Sequence, residues 1–311
     1  MIRIVNPTPC LFYPASREMG VPIRELLTNS EVQKSALLYL ADRYPSDAVI
    51  RMTELWCEAA SFGMDISFPE NDFPKLGPAI FSEVGEYESI IMPEAINEIT
   101  RPLIDAVRLA RPRMDKPLIV GVTGAFTLAS VLCSSEDFMV NSMIEPEMTH
   151  ALLGKLTVFL IDYIDEYKKA GADGIILAEP SVAMVSPDMA AEFSNSYIER
   201  IISAVQTDEF SVIYHNCGSV NPHLEGIAKL SAHGFHFGSD VDMKRAVEMI
   251  PNDRTIMGNI DPRMFLSNNG LKEKIVQTRR ICSGYSNFVL STGCDLSPKA
   301  TNESIATFFD N

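Results

Sequence analysis

His215 and Cys217 stand in the run Tyr214-His215-Asn216-Cys217-Gly218, and a further cysteine, Cys294, stands far downstream in Thr292-Gly293-Cys294-Asp295. In an extended segment alternate side chains point the same way, so His215 and Cys217 can face one point while Asn216 faces away. One imidazole with two thiolates is the borderline-soft donor set that suits zinc, with one coordination position left open. An open position means chemistry rather than scaffolding. The other histidines, His150, His223, His233 and His236, show no paired spacing and read as surface or satisfied core groups. Cys10, Cys57, Cys133 and Cys282 read as small apolar fillers.

The elements that must position these residues come from a chain of 311 residues, 46% hydrophobic and 22% charged, enough to fill a large core as one big domain or two ordinary ones. Six cysteines in a chain this long do not form a dense disulfide framework. No uncharged apolar stretch approaches the ~18 residues that span a bilayer, and the start lacks the apolar core of a signal peptide, so a cytoplasmic protein with no membrane partner is expected. The net charge of −15, from 26 Lys+Arg against 41 Asp+Glu, argues against a nucleic-acid partner. An anionic substrate would need a local basic pocket.

Eight runs read as strands: 48–52, 65–68, 118–122, 174–178, 210–214, 235–237, 254–257 and 288–291, several of them continuously apolar as in strands buried on both faces. Helical patterns lie between them. The longest, 146–170, carries Met148, Leu152, Leu156, Phe159, Tyr163 and Tyr167 at three-to-four spacing, and Gly171 closes it. Ser186-Pro187, Asn221-Pro222 and Asp261-Pro262 each offer a side-chain cap followed by proline, and Ser30-Glu31-Val32-Gln33 reads as a capping box. This alternation predicts a parallel α/β fold closed as a (β/α)8 TIM barrel, one domain over 1–311, with about 1–45 as an N-terminal extension.

In such barrels the active site lies at the carboxyl ends of the strands, where His215, Cys217 and Cys294 follow the fifth and eighth candidates. The same rim carries Thr53, Glu54, Thr123, Gly124, Glu179, Asn259 and Asp261. Glu54 and Glu58 lie one helical turn apart, which suits a solvated helix face as well as a place at the mouth. Thr123-Gly124 reads equally as a tight turn, and Asp261 as an N-cap. An acid at Glu179 is costly unless used or paired.

Four segments together carry a resemblance: Thr53-Glu54-Leu55-Trp56-Cys57-Glu58-Ala59-Ala60-Ser61-Phe62-Gly63, Val122-Thr123-Gly124-Ala125-Phe126-Thr127-Leu128-Ala129, Gly171-Ala172-Asp173-Gly174-Ile175-Ile176-Leu177-Ala178-Glu179-Pro180 and Ser291-Thr292-Gly293-Cys294-Asp295-Leu296-Ser297-Pro298. They resemble, along nearly the whole chain, the uroporphyrinogen decarboxylase superfamily. With His-x-Cys and the distant Cys, the chain is similar within it to the zinc-dependent methylcobamide:thiol methyltransferases, whose best-known members act on coenzyme M. Ala125 replaces the proline of that family's Thr-Gly-Pro-Phe-Thr loop. The metal-free decarboxylase branch holds a tetrapyrrole's acid groups with an Arg-Gln-Ala-Gly-Arg signature, and the stretch Pro14-Ala15-Ser16-Arg17-Glu18-Met19-Gly20 keeps only Arg17.

The resemblance implies a Zn2+ site of His215, Cys217 and Cys294. In coenzyme M enzymes the loop after the sixth strand often brings an acid to the metal. Here that loop reads His236-Phe237-Gly238-Ser239-Asp240, with glycine near the expected place, so Asp240 or water would complete the site. Glu54, Thr123, Gly124, Glu179 and Asn259 become candidates for contact with substrate or corrinoid. The implied reaction moves a methyl group from a methylated corrinoid (methylcobalamin or its protein-bound form) to a zinc-activated thiol such as coenzyme M. No Asp-x-His-x-x-Gly cobalamin-binding signature is present, so the corrinoid would arrive on a separate corrinoid protein. The alternatives are a metal-free decarboxylase, methyl transfer to a non-thiol acceptor such as tetrahydrofolate, and a non-catalytic barrel that binds a corrinoid protein or a metal.

Overall fold

Continuous apolar runs become interior strands because a parallel sheet covered on both faces leaves no side for polar groups. The computed structural model describes residues 2–52, 55–70, 72–81 and 83–310, so Thr53 and the candidate Glu54 lie outside the described residues. Seven strands form one parallel sheet in chain order: β1 (Val49–Arg51), β2 (Leu118–Thr123), β3 (Gly174–Ala178), β4 (Ser211–Asn216), β5 (Gly234–Phe237), β6 (Thr255–Ile260) and β7 (Phe288–Thr292). The sheet curls. Its inner side packs Ile50, Ile119, Ile176, Ile213, Met257 and Val289 into one cluster. Its outer side packs Val120, Ile175, Leu177, Val212 and Tyr214 into the larger core with the helices. Neighbouring residues on a strand thus serve opposite faces, as the strand period of two requires.

The sheet corrects the expectation of eight barrel strands. Residues 65–68 do not join it: Ile66–Ser67 pairs antiparallel with Lys75–Leu76 in a separate ribbon. The physical reason is composition, since Asp65 and Ser67 alternate with apolar residues and suit a ribbon with one wet face, not a strand buried on both sides. Among the described residues no pairing joins β7 back to β1. The N-terminal segment runs beside β7 instead. Thr8 N–H donates to the Leu290 carbonyl at 3.0 Å and Cys10 N–H to Thr292 Oγ1 at 3.0 Å. Ile4 and Cys10 thereby enter the inner cluster. The fold is α/β, a parallel curled sheet consistent with a TIM-like barrel.

Four strands run further than expected, β7 by the single residue Thr292. β4 continues to Asn216, β2 to Thr123 and β6 to Ile260, so His215, Thr123 and Asn259 are strand residues at the carboxyl ends. The helix Pro146–Ala170 stands as expected, and Gly171 adopts φ 101° to end it. Two caps differ from expectation. Asn29, not Ser30, caps the helix Ser30–Arg43, accepting from Glu31 N–H and Val32 N–H, because Gln33 is drawn inward to the Leu27 carbonyl and Arg51. Asn221 caps nothing; its side chain ties to the Asp240 carbonyl and Asp242 N–H.

Candidate metal centre

His215 lies one residue before the end of β4, and Cys217 follows the strand directly. Asn216 between them faces away: its Nδ2 donates to the Glu179 carbonyl, and its Oδ1 accepts from Gly218 N–H at 2.8 Å, turning the chain beyond Cys217. Cys294 comes from the loop after β7. The ligand atoms of His215, Cys217 and Cys294 lie within 4.8 Å of one another, and among the described residues they are the one such group of three. Two glycines allow this. A Cβ on Gly238 would stand 2.4 Å from the Cys217 carbonyl oxygen, and one on Gly293 would stand 2.8 Å from Ser239 N. Glycine in the loop after β5 therefore serves close approach of three loops. Asp240 is exposed on that loop and stands outside the group.

Hydrogen bonds fix which His215 nitrogen is free. His215 Nδ1 lies 3.1 Å from the His236 carbonyl, which can only accept, so Nδ1 carries the proton. It also lies 2.7 Å from His236 Nδ1, which must then accept. His236 accordingly bears its proton on Nε2, 3.1 Å from Ser291 Oγ, and Ser291 donates onward to the Thr8 carbonyl at 2.7 Å. Burial lowers the pKa of His236 well below the ordinary histidine value, which keeps it neutral in this chain of bonds. The outcome is a lone pair on His215 Nε2. That atom is buried and has no hydrogen-bond partner among the described residues. An orphaned buried acceptor is costly, and a metal ion beside two sulfurs would satisfy it.

The two thiols differ. Cys217 is held below the ordinary thiol range chiefly by a hydrogen bond from Cys294. Cys294 is pushed up by that same partner and by burial. One sulfur is thus ready to act as a thiolate, and a dication would displace the proton on the other.

Above the trio lies a cavity of about 260 Å3 whose walls include Tyr13, Met52, Leu55, Phe73, Pro180 and Asp295. Of these six, only Pro180, beside Glu179 at the strand end, was reached from the sequence. Tyr13 and Phe73 meet edge to face with centroids 4.6 Å apart. A second groove of about 460 Å3, beside Trp56, Met64 and Glu98, includes none of the trio in its lining.

The remaining candidates sit behind this wall. Glu179 is fully buried, and its carboxylate accepts from Phe126 N–H at 3.1 Å, Thr127 N–H at 2.8 Å and Thr127 Oγ1 at 2.6 Å. These donors form the first turn of the helix Ala125–Leu132, and a Cβ on Gly124 would stand 2.3 Å from that carboxylate. Thr123 donates its N–H to Glu58, itself buried, at 2.9 Å. Asn259 Nδ2 donates to the Gly238 and Val241 carbonyls at 3.2 and 2.9 Å, tying β6 to the loop that backs Cys217. Asp261 caps the turn Pro262–Leu266 through Arg263 N–H.

A family model described as uroporphyrinogen decarboxylase (URO-D) matches residues 5–311. The chain belongs to the uroporphyrinogen decarboxylase family. Relatives named uroporphyrinogen decarboxylase include one from Chlorobium phaeobacteroides, 28% identical over 253 residues, covering 77% of this chain and 70% of that protein. Another, from Coxiella burnetii, is 25% identical over 295 residues, covering 90% and 80%. Among solved structures, a methyltransferase from Methanosarcina mazei is similar with a TM-score of 0.85 at 22% identity, over 99% of this chain and 92% of that one. A B12-independent methionine synthase from Shewanella sp. W3-18-1 has a TM-score of 0.64 at 14% identity, over 98% and 93%. At these identities the likeness establishes the shared fold, and the chemistry must be argued from the site. Arg17, the one arginine kept in the N-terminal stretch, donates to the Ala300 carbonyl and Asn302 Oδ1 and does not line the cavity.

Proposed function

We propose that this member of the uroporphyrinogen decarboxylase family is a zinc-dependent methyltransferase that moves a methyl group from a methylated corrinoid, carried by a separate corrinoid protein, to a thiol acceptor of the class that includes coenzyme M. The observation that carries the reading is the lone pair of His215 Nε2, buried and unpartnered beside Cys217 and Cys294 at a cavity floor. Three protein ligands leave one position for substrate, the arrangement of catalytic rather than structural zinc sites.

His215, Cys217 and Cys294 would hold the ion, which when bound supplies the Lewis acidity that lets a thiol bind as its thiolate at neutral pH. The chain's residues do the rest. His236 and the Ser291 hydroxyl keep the His215 ring turned with Nε2 toward the sulfurs. Met52, Leu55 and Phe73 shield the acceptor sulfur from water, so it keeps its electron density for attack. In the transfer the thiol gives up its proton and its sulfur forms the new S–C bond. The cobalt–carbon bond of the incoming corrinoid breaks, and its electron pair stays on cobalt. The metal-free decarboxylase of the same family would have to pair a tetrapyrrole's acid groups with basic side chains, and among the described residues no Lys or Arg lines the cavity, Arg17 being engaged elsewhere.

Purified protein should bind about one zinc per chain, with one nitrogen at ~2.0–2.1 Å and two sulfurs at ~2.3 Å by X-ray absorption. It should also consume the methyl–cobalt absorbance of methylcobalamin when a thiol is present. Cys294→Ser should lose both properties while melting within about 5 °C of the parent, because serine nearly matches the shape of a side chain that only borders the inner cluster. Absence of zinc that cannot be restored, or full activity in Cys294→Ser, would remove the reading.

A further inference from the structure

We infer that Leu55 determines acceptor specificity: its side chain narrows the space over the metal centre so that only a primary thiol, unbranched at the carbon bearing sulfur, reaches the open position. This rests on the methyltransferase reading and names a residue that selects the substrate at that same site.

Leu55 stands out by its backbone. Its φ of 63° and ψ of −8° lie in the left-handed region, where a Cβ crowds the following carbonyl. Among the described residues the other non-glycine residues with positive φ are Ser134 and Asn268, which are small or polar, and Leu55 is the bulky apolar one. Such a conformation persists only where the surroundings fix it. The helix Trp56–Ser61 begins at the next residue and is held from two sides. The carboxylate of buried Glu58 accepts the Thr123 N–H at 2.9 Å, and the Trp56 ring meets Phe68 edge to face with centroids 5.2 Å apart. Trp56 borders the second groove, whereas Leu55 borders the cavity over the trio. The left-handed turn thus sends two successive apolar side chains to different spaces.

Other walls are less suited to setting a width. Met52 is unbranched and adapts its shape. Phe73 stands at the cavity edge, 36% exposed. Leu55 is branched, fixed to a constrained turn, and shares the lining with His215, Cys217 and Cys294. An acceptor with its sulfur on the open position places its first carbon among these side chains. It must also leave the sulfur clear for a methyl group about 3–3.5 Å away. Extra branches on that first carbon meet Leu55.

Two isomers, 1-butanethiol and 2-methyl-2-propanethiol, contain the same atoms and differ in branching. Each is titrated calorimetrically into the zinc-loaded full chain, with affinities corrected for each thiol's own pKa. The parent should bind the linear isomer about tenfold or more tightly. Leu55→Ala and Leu55→Gly both remove the branched side chain, so both should shrink that ratio several-fold while keeping about one zinc per chain. Glycine also relieves the left-handed turn, which alanine does not, so Leu55→Gly should melt on the order of 2 °C above Leu55→Ala. A merely structural leucine would shift Tm and leave the isomer ratio unchanged. Leu55→Phe enlarges the obstruction and should weaken binding of the linear isomer about tenfold, and it decides alone if the smaller variants do not fold. An unchanged ratio in the folded variants, or equal binding of both isomers by the parent, would overturn the inference and leave the methyltransferase standing. If neither thiol binds, the thiol-methyltransferase reading falls, and access to the zinc-free site then judges Leu55 separately. There the Cys217 sulfur forms an S–C bond with iodoacetamide or its bulkier N-tert-butyl derivative as iodide leaves and the thiol proton passes to solvent. The rate advantage of the smaller reagent should shrink in Leu55→Ala, and an equal advantage in both proteins would dismiss the role.

Discussion

The His215 imidazole is held on one side by two acceptors, the His236 carbonyl and His236 Nδ1, and faces two sulfurs on the other. A ring fixed in this way presents a lone pair without having to search for it, and such outer partners typically contribute ~10–100-fold to metal affinity. His236→Phe removes the shorter of the two contacts but leaves the backbone carbonyl. Zinc affinity, measured by competition with a chromophoric chelator, should therefore fall on the order of tenfold. His236→Asn places an acceptor oxygen near the lost Nδ1 and should recover much of that loss without restoring the bond to Ser291. A purely structural histidine would lower Tm in both variants and leave the zinc constant unchanged, and that pattern would dismiss the positioning role.

At the scale of elements, Glu179 joins three of them. Its backbone N–H donates to the His215 carbonyl at 2.9 Å, its carbonyl accepts from Asn216, and its carboxylate caps the helix Ala125–Leu132. Burial outweighs these hydrogen bonds and raises its pKa to about 7. A carboxyl whose pKa is raised on folding favours the folded state at low pH, where it is protonated in both states. That advantage is lost as pH rises from the unfolded value near ~4.5 through about 7. The penalty above pH 7 is of order 3 kcal/mol. Glu179→Gln cannot ionise, so its stability relative to the parent should improve as pH rises from 5 to about 8 in urea denaturation. Parallel curves for the two proteins across that range would show that Glu179 does not titrate in it.

At the scale of the whole molecule, the chain is acidic, with net charge −15, and among the described residues no helix is long and apolar enough to cross a membrane. A corrinoid protein docking on the strand ends would meet this field at long range. Its transfer rate should fall as salt rises past ~0.1 M, where the screening length is about 10 Å, if its docking face is basic. Free methylcobalamin lacks such a face, so its rate should change less and be lower at matched concentration. Equal rates for free and protein-bound corrinoid would argue against a dedicated carrier.

Spacing alone turned His215 and Cys217 toward one side of an extended segment, because alternation is a property of the extended backbone and needs no tertiary context. Continuous apolar runs located the strands that became the parallel sheet, and the helix Pro146–Ala170 was legible from its period and its terminal glycine. These are local consequences of covalent geometry. What the fold alone decided is relational. His236 shows no spacing that links it to His215, 21 positions away, yet strand pairing sets the two side by side. The run 65–68 alternates polar and apolar residues, which suits a strand with one wet face, but its partner Lys75–Leu76 appears only in the fold. Gly238 sits where an acid was expected near the metal, and its purpose appears only when the Cys217 backbone is seen against it. A single chain's sequence records the chemistry of each residue, whereas the distances that turn residues into a site arise from chain segments meeting across the sheet.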